Sequence, residues 1–89
     1  ELSFDQAERR IARTLLNLAA QYGRPCPEGV RISIRFTHQD VAGIINTSRI
    51  TTNKVMKRME EEGILLKREG RYILRALPAL ERLARGEGQ

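Results

Sequence analysis

The 89-residue chain has one cysteine, one histidine, three prolines and no tryptophan; its aromatic content is two Phe and two Tyr. A lone Cys26 excludes an internal disulfide. Together with the lone His38 it cannot assemble a four-ligand zinc site, nor a Cys/His nucleophile pair with an orienting third group at recognisable spacing. Cys26 lies between Pro25 and Pro27 and is read as an incidental thiol. There is no run of about 18 apolar residues to span a bilayer, and no charged start followed by an apolar stretch, so neither a membrane span nor a signal peptide is expected and the chain reads as cytoplasmic. No carboxylate pair, metal-ligand cluster, phosphate-binding glycine loop, internal repeat or low-complexity tract is recognisable, and an enzyme is not expected.

What is present is a balance of 40% apolar and 30% charged residues, which is globular rather than disordered, in a length that allows one domain. Sixteen Lys and Arg against eleven Asp and Glu give a net charge of +5 and a pI near 10.1. Such an excess suits a polyanion, nucleic acid or an acidic membrane surface. The sequence starts at Glu1 without methionine, as expected of a fragment of a longer protein.

Ser3 and Gln6 form a capping-box pattern with Leu2 placed to staple Ala7, and Ala7, Ile11, Leu15, Leu18, Ala19 and Tyr22 continue at helical spacing until Gly23. "GRPCPEG" reads as a loop, because its two prolines and two glycines cannot sustain a helix or a central strand. Apolar Val30, Ile32, Ile34 and Phe36 alternate with polar Arg31, Ser33 and Arg35, the period of two of a half-buried strand. Thr37 and Asp40 mark a short helix with Val41, Ile44 and Ile45 on its apolar side, closed by Asn46 in the left-handed conformation. Ser48 caps the next helix, over about 48–62, in which Thr52, Val55, Met56 and Met59 form the inward stripe, and Gly63 stops it. "ILLKREGRYIL" predicts a hairpin turning at Glu69 and Gly70. Pro78 suits the first turn of a last helix through "ALERLAR", before "GEGQ" frays.

If the inward stripe is as read, 100° per residue places Arg49, Ile50, Asn53, Lys54 and Lys57 on the outward side. Basic residues thus crowd the front of this helix while Glu60, Glu61 and Glu62 close it, against the preference of the helix dipole for acids first. The order makes sense if the front of the helix meets an anion and the glutamates lie where it leaves. Helix, tight turn, capped basic helix and a hairpin carrying Lys67, Arg68 and Arg71 at its tip make a winged helix-turn-helix, mainly α with a small β hairpin (α+β). The helix-turn-helix covers about 37–63 and the wing about 64–76, within a single domain of residues 1–89. Arg31, Arg35, Arg75, Arg82 and Arg85 read as solvated basic surface.

"FTHQDVAGIINTSRITTNKVMKRMEEEGIL" resembles the DNA-binding domain of the cyclic-AMP receptor protein and fumarate/nitrate regulator (Crp/Fnr) superfamily of bacterial transcription factors, and "AERRIARTLLNLA" resembles that domain's first helix. The resemblance implies sequence-specific binding of double-stranded DNA, with the helix over 48–62 in the major groove. It assigns base readout to Arg49 and Lys54, and backbone contacts to Thr37, Gln39, Ser48, Thr51 and Lys57. The outward face of the helix adds Ile50 and Asn53 to the base-reading set, the wing residues Lys67, Arg68 and Arg71 are placed to reach phosphates beside the groove, and His38, beside Gln39, is read either as a further phosphate contact or as a solvated surface histidine. Ile50 departs from the glutamate common there, so a thymine methyl becomes its expected partner. Lys54 stands for an arginine without its planar fork, Asn46 for a turn glycine, and Thr52 for an aliphatic core residue. The resemblance further implies no cofactor in this domain, an N-terminal sensor domain that binds a cyclic nucleotide or another effector, a homodimer in the full-length protein, and RNA polymerase as a candidate partner.

Two other readings compete. One is a winged-helix module for protein interaction, against which Ile50 stands as the only large apolar residue expected to be exposed near the basic face. The other is a DNA-binding winged helix of another regulator family, with a different dimer geometry.

Overall fold

The computed structural model describes residues 2–87. Its elements run α1 (Phe4–Tyr22), β1 (Gly23–Cys26), β2 (Gly29–Ile32), α2 (His38–Ile45), α3 (Arg49–Glu61), β3 (Leu65–Arg68), β4 (Arg71–Leu74) and α4 (Leu77–Ala84). The capping box forms as the sequence predicts: Ser3 Oγ accepts from the Gln6 amide, and the Gln6 side chain accepts from that of Ser3. Ala7, Ile11, Ala12 and Leu15 of α1 are buried, as are Val55, Met56 and Met59 of α3, Leu65, Tyr72 and Leu74 of the wing and Leu80 of α4. Each large apolar side chain so enclosed stabilises the fold by about 1.5–3 kcal/mol. α4 carries Pro78 in its first turn and is tied to α1 by Arg13 Nε, which donates to the Ala84 carbonyl at 3.0 Å. Gly86 and Glu87 still hydrogen-bond back to Leu83 and Arg82, so the expected fraying does not begin there; residues 88 and 89 lie outside the described residues.

The four strands form one antiparallel sheet in the order β1-β2-β4-β3, one strand more than the hairpin and the strand from Val30 that the sequence predicts. "GRPC", expected to be loop, is a strand. It escapes the proline penalty by being at the sheet edge, where Pro25 pairs with Val30 without a neighbour on its other side. Gly23 ends α1 not through a left-handed turn but in an extended conformation, φ −76°, and a side chain there would overlap the Ala19 carbonyl and Val30. The strand predicted to reach Phe36 stops at Ile32. Ser33 turns away, its amide donating to Tyr22 and its carbonyl accepting from Arg71 Nε at 2.7 Å. Ile34 is consequently exposed, whereas Phe36 stays buried and stacks on Tyr72 with ring centroids 5.0 Å apart.

In α2 the buried side is Val41, Ala42 and Ile45, and Ile44, expected inside, is 61% exposed. In so short a helix the adjacent isoleucines compete for one face, and packing against α1 and α3 selects Ile45. In the wing, Glu69 and Gly70 both have positive φ, 53° and 81°, the requirement of a two-residue hairpin turn whose twist matches its strands. The register pairs Lys67 with Tyr72 and Arg68 with Arg71.

Candidate nucleic-acid interface

The elbow between α2 and α3 is built by local chemistry. Thr37 Oγ1 accepts from the Asp40 amide at 3.1 Å and Asp40 Oδ2 from the Thr37 amide at 2.8 Å. Helix starts leave four amides without intrahelical partners. The capping box takes two, and among the described residues those of His38 and Gln39 have no protein acceptor. Asn46 adopts φ 60°, ψ 52°, the left-handed conformation that lets the chain turn at once into α3. There Ser48 Oγ accepts from the Thr51 amide at 3.1 Å and donates to Thr51 Oγ1 at 3.0 Å. Thr52, fully buried, donates its hydroxyl to the Ser48 carbonyl at 3.0 Å, so the polar atom in the core costs no unmet hydrogen bond.

A groove of about 670 Å³ runs between the start of α2, one side of α3 and the wing, lined by Thr37, His38, Gln39, Arg49, Asn53, Lys57, Glu60, Lys67 and Tyr72. Positions 49, 53, 57 and 60 form one stripe along α3. His38 bridges the two helices: its Nδ1 lies 2.8 Å from Asn53 Oδ1, and its Nε2 lies 4.0 Å from Glu60 Oε2. Tyr72 floors the groove, its ring 6.4 Å from that of His38 and 5.3 Å from Lys67 Nζ. Burial, reinforced by the Glu60 carboxylate, pushes the Tyr72 phenol above its ordinary value of 10.0.

Of the residues singled out in the sequence, Thr37, His38, Gln39, Arg49, Asn53, Lys57 and Lys67 meet in this groove. Ile50 and Lys54 are exposed on the neighbouring strip of α3. Ser48 and Thr51 are engaged in the cap. Arg68 and Arg71, read as companions of Lys67 at the wing tip, lie on the other face of the hairpin, because strand residues alternate. Arg68 pairs with Glu28 at 3.1 Å and Arg71 holds Ser33, which offsets the repulsion of two arginines directly opposite one another. Sequence reasoning missed Glu60 and Tyr72 as groove residues. Glu60, placed where the helix was expected to leave the groove, instead faces His38; its spacing of seven from Asn53 and eleven from Arg49 carried that signal. Ile50, expected to be alone, is joined by Ile44, Ile34 and Tyr22 among the exposed large apolar residues.

Residues 9–83 match the family described as the Crp-like helix-turn-helix domain. The chain belongs to that family. It is 32% identical over 85 residues to the "Cyclic AMP receptor protein" of Thermus thermophilus, covering 96% of this chain and 36% of the relative. It is 37% identical over 65 residues to the "cAMP-activated global transcriptional regulator CRP" of Salmonella typhimurium, covering 72% of this chain and 30% of the relative. The chain therefore spans 30 to 36% of the length of these two relatives. Among solved structures, a CRP-family transcriptional regulator from Thermus thermophilus superposes with TM-score 0.76 at 30% identity, over 88% of this chain and 40% of that one. The CO-dependent transcription factor CooA from Carboxydothermus hydrogenoformans shares the fold, with TM-score 0.83 at 23% identity over 91% and 38% of the two chains. As a Crp-like helix-turn-helix domain, this is the DNA-binding output domain of a Crp/Fnr-type transcription regulator, in the α+β winged helix-turn-helix fold. No helix among the described residues is long and apolar enough to cross a membrane.

Proposed function

We propose that the domain reads a specific duplex sequence by laying the front of α3 in the major groove, while one DNA backbone runs along the groove between α2 and the wing. The observation that carries this reading is the convergence of Arg49, Lys57 and Lys67 with the free amides of His38 and Gln39 on one side of the fold. Helix-start amides and cations are the usual ligands of phosphate. Arg49, whose guanidinium fork suits guanine O6 and N7, reads a base; Ile50 meets a thymine methyl, and Lys54 and Asn53 meet neighbouring base edges. Thr37, His38, Gln39, Lys57 and Lys67 contact phosphates, Ser48 and Thr51 add hydroxyls at the front of α3, and Arg68 and Arg71 contribute positive charge from the far face of the wing.

The whole regulator is a cytoplasmic homodimer whose two copies read half-sites about 34 Å apart. A sensor domain preceding this one binds a small effector, a reading supported by relatives whose names specify cAMP or CO dependence. RNA polymerase is a further partner of the DNA-bound protein. Selection from a random duplex library at low salt tests the central part. An enriched half-site that outcompetes its scrambled control as salt rises is the expected result. Salt-sensitive binding without enrichment would reduce the domain to a nonspecific basic surface and favour a protein-docking role at the exposed Ile44 and Ile50.

A further inference from the structure

The contact between His38 and Asn53 constrains what Asn53 can offer a ligand. A carboxamide has an acceptor end and a donor end, and an asparagine free in a groove can flip to suit either kind of base edge. Here Oδ1 of Asn53 lies 2.8 Å from His38 Nδ1. A carbonyl oxygen only accepts, so Nδ1 is the donor. The imidazole is itself packed in place: its ring lies near-parallel to that of Tyr72, at 28° with centroids 6.4 Å apart. Tyr72 thus orients His38, which in turn fixes the amide.

We propose that His38 is a positioning residue for sequence readout: by holding Oδ1 of Asn53 it fixes the flip of the carboxamide, so that position 53 presents N–H donors and selects a base with a major-groove acceptor. Guanine, with O6 and N7, is the favoured partner, and thymine offers O4. Cytosine is disfavoured, because it presents only an amino donor there. The inference rests on the reading of α3 as the base-contacting helix and specifies one position within it.

The test is selection from a random duplex library with the wild-type 89-residue chain and three variants, scored as base preference at each position of the enriched site. Asn53→Ala identifies the position by erasing preference there alone. At that position the wild type disfavours cytosine about five- to tenfold, the discrimination a single hydrogen-bond readout supplies. His38→Phe, which keeps a ring beside Tyr72 but has no donor, admits cytosine to within about twofold of guanine at that position, while the other positions keep their relative preferences. His38→Arg, a donor with no acceptor, restores the bias against cytosine, an outcome that loss of folding or of general affinity cannot mimic. Wild-type cytosine discrimination retained in His38→Phe would overturn the positioning role. So would Asn53→Ala leaving every position unchanged. Failure of the wild type to enrich any sequence would instead overturn the reading of α3 on which this inference stands.

Discussion

Arg49, Asn53 and Lys57 share a stripe of α3, yet their neighbours assign them different work. Arg49 stands at the front of the helix, Asn53 is held by His38, and Lys57 faces the wing across the groove. Arg49→Ala is expected to cost about 1–3 kcal/mol on the enriched duplex and to relax selectivity at one base pair. Lys57→Ala should weaken all sequences alike and reduce the slope of log affinity against log salt by about 0.9. Titrations of both variants against enriched and random duplexes check the pair, and equal losses on both DNAs for Arg49→Ala would contradict its base-reading role. Tyr72 gives a prediction in pH. Its folded-state pKa is raised, so the neutral phenol's contribution to stability is fully present below about pH 10 and is lost as pH rises through the raised value. Denaturation midpoints followed from pH 8 upward should fall less steeply in Tyr72→Phe than in the wild type.

At the scale of elements, what the sequence disclosed was what local chemistry decides. The three side-chain caps at Ser3, Thr37 and Ser48, the left-handed Asn46 and the turn at Glu69 and Gly70 are each set by residues within about four positions of one another, and all are found. The groove itself was half legible, because the stripe on α3 follows from its period. The rest depends on partners distant in sequence. β1 exists because β2 pairs with it, and β2 is fixed by β4, more than forty positions away at Val30 and Leu74. Ile44 turns outward because α1 and α3 pack on the other side of α2. The faces of Arg68 and Arg71 were hidden for a different reason: three bases in five residues read as one cluster, but a strand sends Lys67 to one face and Arg68 and Arg71 to the other. The elbow yields a stability prediction. Asn46→Val places a β-branched side chain at φ 60° and should destabilise the fold by about 1–2 kcal/mol or more, whereas Asn46→Gly should be tolerated; thermal denaturation of the two variants checks this.

For the molecule as a whole, the net charge of +5 supplies attraction to any duplex, and the groove supplies direction. If, as proposed, one copy of the chain reads one half-site, affinity should depend on pairing. Two copies joined by an artificial coiled coil should bind a duplex with half-sites about 34 Å apart some 10²- to 10⁴-fold more tightly than the single chain does, and moving the half-sites by half a helical turn should abolish the gain. The most direct test of which face meets DNA is the change in backbone amide NMR shifts of the isotope-labelled chain on adding the enriched duplex. The account predicts the largest changes at His38, Gln39, Arg49, Asn53, Lys57 and Lys67, with α4 and the first turns of α1 little affected. Changes concentrated instead on α1 and α4, or on the edge strand around Cys26, would contradict it.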